Sequence, residues 1–118
     1  MISEIKHIVS PDILNFETYY PEDDECFSFL VSILVGSKEA QFEEAFNVEV
    51  CTPKWLLQNY NEDEILLGKD KIIVFVYNRE KIFKRIRELF DGRSAKSWNE
   101  IAIKLSRIGQ WEFEDYQQ

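Results

Sequence analysis

The stretch CFSFLVSILVG, residues 26–36, constrains the fold more than any other part of this chain. Large apolar side chains occupy every second position from Phe27 to Val35, and the positions between them include Ser28 and Ser32. An alternation with period 2 predicts a β-strand that buries one face and leaves the other in polar surroundings. We therefore expect a sheet with one apolar face, which other elements must cover.

The segments on either side of this stretch predict its neighbours in the sheet. EIKHIVSP, residues 4–11, has the composition of a first strand and ends at a proline. Residues 36–40 have the composition of a hairpin turn, and residues 41–51 return as a strand. The side chains of that strand expected to face the core are Phe42, Phe46, Val48 and Val50.

Two later segments also predict strands. Residues 69–77, KDKIIVFVY, are apolar at consecutive positions, which is typical of a central strand covered on both faces. The closing segment GQWEFEDYQQ, residues 109–118, alternates aromatic and acidic residues. This alternation predicts a last strand with Trp111 and Phe113 facing inward.

Capping signals and apolar spacing predict three helices. Thr52 and Pro53 suit the N-cap and first position of a short helix. Residues 78–92 carry apolar side chains at helical spacing and end at a glycine, and Ser97 with Glu100 forms a capping box for a third helix. The order of elements predicts a single α+β domain over the whole chain. We expect a mostly antiparallel sheet of about five strands, with two longer helices and one short helix packed on one face.

The chain offers few groups for catalysis or metal binding. It has two cysteines, Cys26 and Cys51, and one histidine, His7, whereas a zinc site needs about four ligands at defined spacing. Its four glycines are scattered, so no phosphate-binding loop can be drawn. We expect two buried thiols in a reducing compartment, with a bridge between them as the less favoured alternative. We expect no cofactor, no metal and no catalytic residue.

Acidic residues are concentrated in the first half of the chain. The net charge is −8; residues 1–64 hold 14 acidic and 3 basic side chains, whereas residues 65–118 hold 8 acidic and 11 basic ones. Such a balance disfavours binding to nucleic acid or to an anionic membrane, because both need Lys and Arg to meet phosphates. It favours a basic protein partner.

Four segments of the chain are distinctive when taken together: SPDI, YPEDDECFSFLVSILVG, CTPKWLL and KLSRIGQWEFEDY. They resemble the immunity protein 8 family of bacterial polymorphic toxin systems, and the resemblance runs from residue 4 to residue 116. It implies a cytoplasmic, single-domain protein that binds a cognate toxin domain and blocks it. It supplies no catalytic residues.

Charge and resemblance together predict a toxin-binding surface. Many such toxins are nucleases with basic clefts, which carboxylates can occupy in place of phosphates. Tyr19 and Tyr20 flank acidic residues and are candidate anchors. The residues predicted to bind the partner are Glu22, Asp23, Asp24, Glu25, Glu112, Glu114, Asp115 and Tyr116.

Two other functions stay open at this point. The first is an acidic adaptor or regulatory module that binds another basic protein. The second is a small carboxylate-based hydrolase, which would need a pocket holding two acids with raised pKa values. The oligomeric state is also open between a monomer and a weak homodimer, because exposed strand edges permit pairing.

Overall fold

The structure is a computed structural model, and it describes residues 1–114. These residues form five strands and three helices. In chain order they are β1 (Ser3–Val9), β2 (Ser28–Ser37), β3 (Glu44–Cys51), α1 (Pro53–Asn59), β4 (Lys71–Ile73), α2 (Arg79–Phe90), α3 (Trp98–Leu105) and β5 (Gln110–Trp111).

The strands form one mixed sheet in the order β1-β2-β3-β4. β1, β2 and β3 are antiparallel neighbours, and β5 is antiparallel to β3. β4 runs parallel to β3, because α1 and the loop after it carry the chain back to the same end of the sheet. β4 and β5 share one edge of β3, each pairing with a different half of it. The predicted α+β, mostly antiparallel fold is confirmed.

The core lies between one face of the sheet and the helices α2 and α3. Phe29, Val31 and Ile33 of β2 and alternate residues of β3 are buried there with apolar side chains of both helices, including Ile86 and Leu105. By contrast, α1 has no buried residue. The protein is only 21 Å thick along its shortest axis, about the depth of two packed layers. Much of the second sheet face therefore meets solvent.

The predicted helix caps are confirmed. Thr52 accepts a hydrogen bond from the Trp55 N–H at the start of α1, and Ser97 accepts one from the Glu100 N–H at the start of α3. After α2, Gly92 has a φ of 71°. This left-handed conformation suits glycine and ends the helix.

The prediction of a central strand over residues 69–77 is wrong. Only Lys71–Ile73 form a strand, at the end of the sheet order. β5 occupies the remaining half of the β3 edge, so β4 has three residues to pair with. Phe75 and Val76 leave the sheet as a bend and are 77% and 48% exposed.

The last strand is shorter than predicted. Trp111 is buried as expected, but β5 ends there and a turn follows, which leaves Phe113 39% exposed and beside Trp111. Phe42 was also expected in the core, but it precedes β3, is 38% exposed and packs on Trp98. The hairpin connection folds closely over Gly36, where a Cβ atom would lie 2.0 Å from the Phe42 carbonyl oxygen.

Candidate functional site

The acidic run predicted to bind a partner forms the loop that leads into β2. Asp23 Oδ1 accepts a hydrogen bond from the Glu25 N–H at 2.9 Å. The Asp24 carbonyl accepts one from the Tyr77 N–H at 2.7 Å. These bonds fix the backbone, while the side chains of Glu22, Asp23 and Glu25 remain exposed.

The predicted acids near the C-terminus have partners within the chain. The Glu112 N–H donates to the Ala45 carbonyl, and Glu112 Oε1 accepts from the Ala45 N–H, both at 3.0 Å. Glu114 Oε1 lies 3.9 Å from Lys69 Nζ. The carboxylates of Glu112 and Glu114 therefore help to attach the segment after β5 to the rest of the chain.

The structure does not bring the two acidic groups together. The loop 22–25 leads to the end of β2 that pairs with Cys51, whereas Glu112 contacts Ala45, six residues earlier on β3. Six residues of strand span roughly 20 Å. Asp115 and Tyr116, which were also predicted to bind the partner, lie outside the described residues.

A cleft of about 510 Å³ lies beside the loop, and we call it the Tyr20 cleft. Its lining residues are Tyr19, Tyr20, Pro21, Glu22, Asp23, Cys26, Phe27 and Gln58. Gln58 belongs to α1, and its Oε1 accepts a hydrogen bond from Cys26 Sγ at 3.2 Å. The short helix therefore supplies one wall of the cleft. No local pattern in the sequence indicated this role of Gln58, because it depends on how α1 docks.

Aromatic rings hold Tyr20 at the rim of this cleft. The centroid of its ring lies 5.2 Å from that of Tyr77 in an edge-to-face arrangement, and Tyr77 packs in the same way on Tyr19 and Phe27. Tyr77 is buried, and its hydroxyl has no hydrogen-bond partner among residues 1–114. Burial raises the pKa of Tyr77. Tyr20 itself is 65% exposed despite this support.

The Tyr20 cleft has the chemistry to bind a Lys or Arg side chain. Glu22 and Asp23 supply two carboxylates, and the Tyr20 ring supplies an aromatic face. A cation over such a ring gains about 0.5–2 kcal/mol, and more where water is excluded. Lys54 already forms an ion pair with the loop, because its Nζ lies 3.8 Å from Glu25 Oε1. Both side chains of that pair are more than half exposed, so the pair is weak.

The solvent-facing side of the sheet carries a polar network around Glu49. Its carboxylate accepts hydrogen bonds from Ser28 Oγ at 2.5 Å and from Lys71 Nζ at 3.0 Å. Burial raises the pKa of Glu49, but these two bonds and the charge of Lys71 outweigh it and lower the pKa overall. Lys6 likewise lowers the pKa of Glu4, through a hydrogen bond and its charge. Both shifts are opposite to the raised pKa values that the hydrolase alternative needs.

One residue that the sequence did not single out joins three elements. Glu44 Oε1, at the start of β3, accepts hydrogen bonds from the indole N–H groups of Trp98 and Trp111, each at 2.9 Å. Trp111 also stacks on Phe46. A carboxylate at a strand start gives no sequence signal for this contact, because both tryptophans are distant along the chain.

Other features of the described residues bear on the class of protein. Within residues 1–114, no helix is both long and apolar enough to cross a bilayer. Both cysteines are free, but only Cys51 is buried as predicted; Cys26 is partly exposed because it lines the Tyr20 cleft. The same residues contain no group of three or more His, Cys, Asp or Glu side chains that could hold a metal ion.

Comparison with known proteins identifies a family. No curated protein and no solved structure was found to match the chain. The sequence model of a family described as Immunity protein 8 matches residues 3–116. Since this match spans nearly the whole chain, the protein belongs to the immunity protein 8 family.

Proposed function

We propose that this protein binds a cognate toxin domain in the cytoplasm of the producing cell and blocks it. In this proposal the Tyr20 cleft receives a Lys or Arg side chain from the toxin. The observation that carries it is the exposed Tyr20 ring beside the carboxylates of Glu22 and Asp23. Family membership supports the role of an immunity protein.

Electrostatic attraction gives the proposal a kinetic consequence. Residues 1–64 hold 14 acidic and 3 basic side chains, so they attract a basic surface such as the substrate cleft of a nuclease. Complementary charge accelerates association and makes the rate fall with ionic strength. The acidic loop 22–25 is the first contact we assign, because Glu112 and Glu114 already have partners within the chain.

Tyr20 is expected to contribute most to the lifetime of the complex. Exposed tyrosines that become buried in an interface are frequent hot spots, and their truncation costs about 2 kcal/mol or more. Tyr20 is already held by Tyr77, so ordering its ring on binding costs little entropy. The Tyr20→Ala variant should therefore bind about 30-fold more weakly, with most of the loss in dissociation rate.

The test uses the toxin domain encoded beside this gene, purified in a catalytically inactive form. The triple variant Glu22→Gln, Asp23→Asn, Glu25→Gln removes three charges and keeps a side-chain oxygen at position 23 to accept the hydrogen bond from the residue 25 N–H. The matched control, Glu62→Gln, Asp63→Asn, Glu64→Gln, removes three charges from another exposed loop. At low salt, association should slow about 10-fold in the first variant and change less than about 3-fold in the control.

A chemical footprint locates the contact independently. Cys26 lines the Tyr20 cleft and is partly exposed, whereas Cys51 is buried. Bound toxin should slow the alkylation of Cys26. Absence of a complex with the wild-type protein would overturn the proposed function. Equal effects of the two triple variants, with Cys26 still reactive in the complex, would overturn the assignment of the cleft.

A further inference from the structure

A groove of about 680 Å³ lies between the edge of the sheet and α2. Its strand side is formed by β4 and the residues after it, and its helix side by Lys81, Ile82, Arg85 and Leu89. The Tyr20 cleft shares none of these helix residues. We call the groove between β4 and α2 the edge groove. The function proposed above does not use it.

The backbone of β4 presents unused hydrogen-bonding groups along this groove. The Glu49 N–H donates to the Asp70 carbonyl, and the Val74 N–H donates to the Cys51 carbonyl. In a parallel ladder, the residue between them, Ile72, also faces β3. The N–H and C=O groups of Lys71 and Ile73 therefore point away from the sheet. β4 pairs only with β3 among the described strands, so this edge is open.

The side chains at this edge are apolar and accessible. Ile73 is 48% exposed, Phe75 77% and Val76 48%. Exposed apolar residues that cluster beside an open strand edge mark an interaction site or an aggregation hazard. A strand added to this edge would pair with Ile73 and cover Leu89 on α2, which is only partly buried.

The positive charge of the edge groove indicates which kind of segment it can bind. Lys81 and Arg85 line its helix side, in a protein whose net charge is negative. Two copies paired through this edge would bring these cations of one copy towards those of the other, which disfavours a homodimer. The carboxylates of an acidic strand would instead form ion pairs with Lys81 and Arg85.

We propose that the edge groove binds an extended segment of the toxin domain, in which apolar side chains alternate with acidic ones. This segment adds a strand to β4 through the backbone of Lys71 and Ile73. The identity of the donor as the toxin rests on the proposed function. The Tyr20 cleft and the edge groove would then contact two separate parts of one partner.

The first test measures amide hydrogen exchange of the wild-type protein with and without the inactive toxin domain. The Ile73 amide points outwards and should exchange at least about 10-fold more slowly in the complex. The Val74 amide already donates to Cys51 and serves as the internal control. No change at Ile73 in a formed complex would overturn the strand addition alone, whereas absence of a complex would overturn the proposed function.

The second test reverses charges on α2. The variant Lys81→Glu, Arg85→Glu alters the groove, and the control Lys84→Glu, Arg87→Glu makes the same change in net charge on exposed residues of the same helix. The first pair should weaken binding at least about 10-fold and the second less than about 3-fold. Circular dichroism checks that both remain helical. Equal losses of affinity would show a general charge effect and overturn the choice of an acidic segment.

Discussion

Replacing Glu44 should destabilise the protein far more than its position at the start of a strand suggests. Its Oε1 atom accepts both indole N–H groups, from Trp98 on α3 and from Trp111 on β5. Without this acceptor, neither N–H has another hydrogen-bond partner within the described part of the chain. The Glu44→Ala variant therefore loses two hydrogen bonds and leaves both indole donors unsatisfied.

The magnitude follows from the burial of the two rings. A hydrogen bond to a charged group contributes about 1.5–3 kcal/mol when its partner cannot be replaced by water. Trp111 is 5% exposed, so losing the hydrogen bond from its N–H should cost nearly the full free energy of that bond. Trp98 is only partly buried, so water can accept a hydrogen bond from its N–H and reduce the cost. We expect Glu44→Ala to lower the free energy of unfolding by about 3 kcal/mol. Glu44→Gln, which keeps an uncharged acceptor oxygen, should cost about 1 kcal/mol.

Urea denaturation followed by tryptophan fluorescence measures these changes, and a double-mutant cycle assigns them. In a Trp98→Phe background one donor is already absent, so Glu44→Ala should cost about 1 kcal/mol less than in the wild type. The control is Glu43→Ala, which removes a neighbouring carboxylate that contacts the exposed His7 ring at 2.9 Å. Losses below about 0.5 kcal/mol for Glu44→Ala, or equal losses for both variants, would refute the role of Glu44.

Three further predictions concern single side chains. Tyr77→Phe removes a buried hydroxyl that has no partner among residues 1–114, so thermal unfolding should show a stability gain of about 1 kcal/mol. The pKa of Glu49 is lowered in the folded state. The stability that its negative charge contributes is therefore fully present above its pKa in the unfolded chain and is lost as the pH falls through its pKa in the folded protein. Glu49→Gln should therefore cost about 1 kcal/mol at pH 7, and urea titrations should show this cost shrinking as the pH falls below the ordinary pKa of a glutamate. Burial raises the pKa of Cys51, so a thiol reagent should modify Cys26 quickly and Cys51 only after unfolding.

The local parts of the fold could be predicted from the sequence. The period-2 alternation over residues 26–36 predicted β2 and its buried face, which the structure confirms. Thr52, Ser97 and Gly92 predicted where helices begin and end, because capping depends on residues within one turn. These signals are local, so they need no knowledge of the tertiary structure.

The errors arise where distant segments compete for the same partner. β5 takes half of the β3 edge, so the run 71–76 obtains only three paired residues, and Phe75 and Val76 beyond them are exposed. The sequence of that run fits a buried strand and an exposed docking edge equally well. The sequence shows acids next to Tyr20, but the docking of α1 that places Gln58 in the wall of the same cleft depends on the whole fold.

The structure separates residues that build the fold from residues that are free to meet a partner. The stretch RIGQWEFEDY carries much of the resemblance to the family, yet Trp111 within it is buried and hydrogen-bonded to Glu44. This tryptophan serves folding, and the same holds for Thr52, which is buried as the N-cap of α1. Residues that select one toxin over another need exposed side chains that the fold does not use. Phe75 meets that condition, and Tyr20 is 65% exposed although its ring contacts Tyr77, so we expect substitutions at both to change toxin specificity while leaving the fold intact.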